Sequence, residues 1–192
     1  MTERQRAMQM RSLSRGTTMI EVLVAMIIIA FGLLGMAGLQ MRLQSSEIDA
    51  YQRSQALLLV SDMANRIAVN RNNAASYVTG TSTPLGTSNN CSAIGTTTTA
   101  LRDQTEWCYA LQGAAETSGG SSVGAMIGGR GCVEQVAGDY MVTVAWQGMT
   151  PLDAPPSSVG CGASLYNAAS GPCANDRCRR AITTVVRIAT LS

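Results

Sequence analysis

Glu21 is the residue whose type and position most invite chemistry. It stands at the mouth of an apolar run of eighteen consecutive uncharged residues, Val22 to Leu39, and Gln40 and Met41 add no charge before Arg42. A carboxylate near a hydrocarbon boundary asks for a cation, because a lone charge at a bilayer centre costs about 2.5–3.5 kcal/mol and somewhat less at the edge. Cutting the bond between Gly16 and Thr17 would create an α-amino group four residues before Glu21. That amine is the partner that a neighbouring copy's Glu21 would need. Without the cut, Glu21 is a headgroup-level residue of a simple anchor.

The second reactive set is the cysteines. All six, Cys91, Cys108, Cys132, Cys161, Cys173 and Cys178, lie beyond the apolar run. An even count behind an export-like N-terminus points to disulfides made in an oxidising compartment. No CxxC pair is present, so disulfides are favoured over a thiolate zinc site. Six cysteines allow fifteen full pairings. Of the last three, one bridge is expected inside the Pro-rich loop and one to the rest of the head.

Other chemistries lack their residues. The chain has no histidine, which removes the usual general base near neutral pH and the commonest zinc ligand. No GxSxG elbow, P-loop or GxGxxG fingerprint occurs, and Gly128 to Gly131 reads as a glycine-rich loop. Asp103 and Glu106 fall one helical turn apart, a spacing that suits acid/base work, but without a pocket they read as a solvated helix face. No enzyme and no cofactor or metal is expected.

Composition narrows the partners. The net charge is +2, yet four of the fourteen arginines precede Thr17, and the remainder is nearly neutral. With no lysine and 4% aromatic residues, there is neither a basic stripe for phosphates nor a stacking platform for bases, so nucleic acid is not expected.

The apolar run would extend about 27 Å as a helix, nearly a hydrocarbon core. Basic residues precede it, so the N-terminus is expected in the cytoplasm and the cysteine-bearing body across the membrane. Three readings compete: an uncleaved anchor, a signal peptide removed after Gly35-Met36-Ala37, and processing ahead of the apolar run. A secretory h-region is usually about 7–15 residues, which disfavours the second.

Gly16-Thr17-Thr18-Met19-Ile20-Glu21-Val22-Leu23-Val24-Ala25, behind a short basic leader, resembles the type IV prepilin motif, a glycine followed by FTLIEVLVA. Phe31-Gly32-Leu33-Leu34-Gly35-Met36-Ala37-Gly38-Leu39-Gln40 is similar to the PilV group of minor pilins. Thr17 stands where that motif usually has Phe, and Met19 where Leu is common. The resemblance implies cleavage after Gly16 by a prepilin peptidase, N-methylation of Thr17, and a docking role for Glu21 opposite an N-terminal amine during filament assembly. It also implies the company of other minor and major pilins and a pilus tip adhesin, with residence in the inner membrane first and then in the pilus, at or near its tip.

The rest of the chain supplies the elements that would carry these groups. Residues 1–16 read as leader, 17–41 as the membrane and filament-core helix, 42–73 as its amphipathic continuation, and 74–192 as a periplasmic head. From Gln40 to Asn73 there is no Gly or Pro. Ile48, Tyr51 or Gln52, Ala56, Leu59, Met63 and Ile67 recur at helical spacing, with Glu47, Arg53, Asp62 and Arg66 on the exposed side. Gly32, Gly35 and Gly38 are expected to melt or bend the helix, or to permit close packing with other helices.

Residues 78–99 have loop composition, and Leu101–Ala115 reads as a short helix. Gly131–Val136 and Tyr140–Trp146 form the best hairpin, linked by Ala137-Gly138-Asp139. Its second arm should pack Tyr140, Val142, Val144 and Trp146 on the helix, with Met141, Thr143 and Gln147 facing away. A Pro- and Cys-rich loop follows, then a last strand from Ala181 to Leu191. The fold class is therefore α+β: a pilin-like long N-terminal helix on a small antiparallel sheet with disulfides. A type II secretion pseudopilin shares this pattern. A bitopic periplasmic binding or sensing module, or an exported enzyme released after Ala37, are the readings from other classes.

Overall fold

A computed structural model describes residues 18–114, 117–122, 124 and 126–188. The chain divides into a unit ending at Gln44 and a second beginning at Ser45. Gly16 and Thr17, the expected cleavage pair, lie outside the described residues, as does Ala115.

Helix α1 spans Met19–Val69. Its composition explains it: Ala, Leu, Met and Ile dominate, proline is absent, and Glu21 in the first turn and Arg66 in the last complement the helix dipole. Gly32, Gly35 and Gly38 all fall inside it, so the local melting expected there is not seen. The helix stops at Asn70, whose amide still donates to the Arg66 oxygen at 3.0 Å. A 3-10 stretch, Arg71–Tyr77, follows, with a kink at Asn73. The Asn73 and Asn70 side chains bond each other at 2.9 Å, and Asn70 reaches the Tyr77 hydroxyl at 3.1 Å. The Asn-rich run thus offers side-chain partners that compete with helix continuation, and the helix ends four residues before the expected Asn73.

In the 45–192 unit, four antiparallel strands are ordered β1-β4-β5-β6, with β1 Leu85–Gly86, β4 Arg130–Val136, β5 Asp139–Gln147 and β6 Arg179–Val186. A two-stranded ribbon, β2 Thr117–Ser118 and β3 Ser121–Ser122, stands apart from this sheet. The β4–β5 hairpin closes through a two-residue turn, with Asp139 already paired to Val136. Both turn residues have positive φ, 52° at Ala137 and 91° at Gly138, the hand that matches strand twist.

The sheet buries one face on the C-terminal part of α1. Ala56, Val60, Met63 and Ile67 meet Val133, Tyr140, Val142, Val144 and Trp146 in one core. Of the expected stripe, Gln52, Ala56, Met63 and Ile67 are buried, whereas Ile48 and Tyr51 are exposed, and Val60, outside the expected set, is buried as well. Helix α2, Thr99–Leu111, completes the core with Trp107 and Leu111. The Thr98 hydroxyl caps it, accepting from the Leu101 amide at 3.2 Å. Trp107 Nε1 donates to the Leu59 carbonyl at 2.9 Å, tying α2 to α1.

Residues 149–178 cover part of the opposite sheet face. Cys132 on β4 is bonded to Cys161 in this loop, and Thr143 and Ala145 on β5 are fully buried. The expectation that Thr143 faces away from the helix holds, but that side is not solvent at this point. Cys91–Cys108 joins a 3-10 turn to α2, and Cys173–Cys178 closes a small loop just before β6. The buried Arg179 guanidinium bonds the Val159 and Cys161 carbonyls at 2.7 and 3.1 Å and pairs with Asp176 at 3.2 Å. A long helix on a small antiparallel sheet with three disulfides is the pilin-like architecture expected from the sequence.

Candidate functional site

Glu21 sits in the first turn of α1, and its amide donates to the Thr18 oxygen at 3.0 Å. A carboxylate here meets the unsatisfied N–H end of the helix, which favours negative charge. From Met19 to Leu43 the large apolar side chains are exposed on every side, with Met19 at 92%, Phe31 at 72% and Leu34 at 69%. A helix apolar all round is stable only inside lipid or among other helices. Of the described residues, α1 alone is long and apolar enough to cross a membrane. The geometry therefore presents one acid at the start of a surface that water does not suit.

A second polar centre lies in the 45–192 unit, where the sequence pointed only to a solvated face. Arg66 reaches Asp62 at 3.0 Å, Asp103 at 2.8 Å and Glu106 at 2.7 Å. Asp103 also accepts from the Tyr77 hydroxyl. Burial opposes the Arg66 charge, but the bonds to Glu106, Asp62 and Asp103 outweigh it and raise the guanidinium pKa. Burial, then the bond to Asp103, raises the Tyr77 pKa. Asp103 and Glu106 are thus answered by a cation, an arrangement suited to holding α2 against α1 rather than to proton transfer. The Asp62/Arg66 spacing of four was the available signal for half of this cluster; the α2 acids carried none.

A third feature is a groove of about 490 Å³ bordered by the α1 residues Ser46, Ala50 and Arg53 and the sheet residues Trp146, Arg180 and Ile182. Asp49 also lines it, with one carboxylate oxygen accepting from the Met149 amide at 3.2 Å. On the far face of the sheet, one Glu134 oxygen and the Thr143 hydroxyl are buried without a hydrogen-bond partner among the described residues. Burial pushes the Glu134 pKa up.

The six cysteines pair as Cys91–Cys108, Cys132–Cys161 and Cys173–Cys178, so none of the candidate thiols is free. Cys132–Cys161 pins the middle of residues 149–178 to β4, Cys173–Cys178 closes the turn that leads into β6, and Cys91–Cys108 stands at α2. Their role is covalent support.

Residues 38–116 match a family model described as Tt1218-like, type IV pilin Tt1218. The matched stretch takes in most of the helix beyond the glycines, the Cys91–Cys108 bridge and α2, and stops before the β4–β5–β6 sheet. No curated protein and no solved structure matches the chain. Over that stretch the chain is similar to a type IV pilin, and the match covers less than half of its length.

Proposed function

We propose that the chain is a minor pilin of the PilV group, cut after Gly16 by a prepilin peptidase, N-methylated at Thr17, held in the inner membrane with its head in the periplasm, and then drawn into a pilus. It has no catalysis of its own. It primes assembly with other minor pilins and helps to present a tip adhesin at or near the filament tip. The residue boundaries of this reading are leader 1–16, core helix 17–41, amphipathic helix 42–73 and head 74–192.

One observation carries the reading. Glu21 opens a helix whose apolar surface is exposed all round, and its spacing from Gly16 is that of the prepilin motif. The family match begins only at Gly38, so this N-terminal pattern is separate support for the same conclusion. In a bundle of such helices an unpaired carboxylate is unfavourable, and an amine from a neighbouring subunit relieves that cost. Docking thereby becomes selective for axial register.

N-terminal sequencing of the membrane-extracted protein, made in cells with and without a prepilin peptidase, tests the reading. Thr17 as first residue, only when the peptidase is present, is the expected result. A persistent Met1 would make the protein a bitopic anchor, and Gly38 a secreted one. Co-purification with a pilus adhesin, rather than with secretion-platform proteins, separates the pilus role from that of a secretion pseudopilin.

A further inference from the structure

The free edge of the sheet is built to accept another strand. β6 pairs with β5 along all eight of its residues, and it ends the sheet order. From Arg180 to Val186 no backbone bond to another element is made on the other side among the described residues. Proteins usually blunt such edges with charges, proline, bulges or very short strands. Ala181-Ile182-Thr183-Thr184-Val185-Val186 has no charge, no proline and no glycine. Two arginines stand at its start: Arg179 is buried and held by Asp176 and the Val159 and Cys161 carbonyls, and the Arg180 guanidinium is turned to the carbonyls of Thr150, Arg177 and Arg179.

The groove described above lies between β6 and α1, so side chains from one face of an added strand would enter it. Register places Arg180, Ile182, Thr184 and Val186 on the same face as Trp146, Val144, Val142 and Tyr140. A strand added beside β6 continues that face, and every second side chain points toward α1. Trp146 and Ile182 give the groove apolar contact surface. Its charge is unbalanced. Arg53 makes no hydrogen bond or ion pair among the described residues, Arg180 meets only carbonyls, and the single acid, Asp49, holds the Met149 amide.

We propose that the β6 edge and its groove bind an extended, acidic segment of another polypeptide by strand addition. Main-chain hydrogen bonds to β6 supply affinity; alternate apolar and acidic side chains, set against Trp146 and Arg53, supply selectivity. The site belongs to the 45–192 unit alone and does not depend on the assembly reading.

The test uses the full chain in detergent micelles and a fluorescein-labelled eight-residue peptide of alternating Val and Thr with two glutamates on one face. Anisotropy reads binding, and amide hydrogen exchange reads the location. Saturable binding that slows exchange across β6 is expected, with Arg53→Glu weakening it about fivefold while near-ultraviolet circular dichroism stays unchanged. Replacing both glutamates with lysine should weaken it similarly. Equal binding by a peptide N-methylated at every residue would overturn strand addition. Equal binding by the lysine peptide would overturn the acidic preference. Protection of β6 that rises with protein concentration alone, without peptide binding, would assign the edge to a second copy instead, and protection by anionic vesicles alone would assign it to lipid.

Discussion

Arg66 Nη1 lies 2.8 Å from Asp103, joining the last turn of α1 to α2 through a guanidinium that also holds Asp62 and Glu106. Asp103 is the least exposed of the three acids, so it loses most when Arg66 is removed. Glu106 is more than half exposed and should contribute little.

Arg66→Leu should therefore destabilise the protein by about 1–3 kcal/mol, between the values for exposed and buried pairs. Adding Asp103→Asn to that variant should recover part of the loss, since the stranded carboxylate is then gone. Chemical denaturation of the full chain in micelles measures both.

The bridges should rank by the length of chain they close. Cys132 and Cys161 are separated by 29 residues, and Cys173 and Cys178 by 5. Loop-closure entropy gives about 3–4 kcal/mol for the first and about 2 kcal/mol for the second. Replacing Cys132 and Cys161 together by serine should thus cost more stability than the same change at Cys173 and Cys178. It should also bare the Thr143 side of the sheet, which limited proteolysis within residues 149–178 would report.

Gly131 should tolerate no side chain. A Cβ there would collide with the Trp107 ring and approach Leu111 Cδ1 to 2.7 Å. The ring cannot retreat without losing its bond to the Leu59 carbonyl. Gly131→Ala should cost about 1–3 kcal/mol by overpacking. Gly138→Ala, in the open β4–β5 turn, should instead act through its positive φ. Thermal melts of the two variants, followed by tryptophan fluorescence, should show perturbed native emission only for Gly131→Ala.

The local signals that survived into the fold were the periodic ones. Alternation along Tyr140, Val142, Val144 and Trp146 named the face that packs on α1, and helical spacing named Ala56, Met63 and Ile67. Val60 was missed because Leu57, Leu58, Leu59 and Val60 form a continuous apolar run, where period alone cannot choose a face; Leu57 and Leu58 are exposed. The Arg66 cluster was half hidden for a different reason. Its α2 acids lie 37 and 40 residues away, and no short-range pattern reports such a contact. The covering of Thr143 likewise depended on which cysteine Cys161 would choose.

Glu134 supplies a pH prediction. Burial raises its pKa in the folded protein, and one of its oxygens has no hydrogen-bond partner among the described residues. The folded state then holds the proton more tightly than the unfolded chain does. Stability linked to this group is fully present below the unfolded value, ordinarily about 4.3, and is lost as pH rises through the folded value. Glu134→Gln removes the titration while keeping the shape. The melting temperatures of the two proteins should lie closest near pH 4, and the variant should gain on the parent as pH rises to 7. Parallel melting curves across that range would mean that the Glu134 carboxylate is solvated in the folded protein.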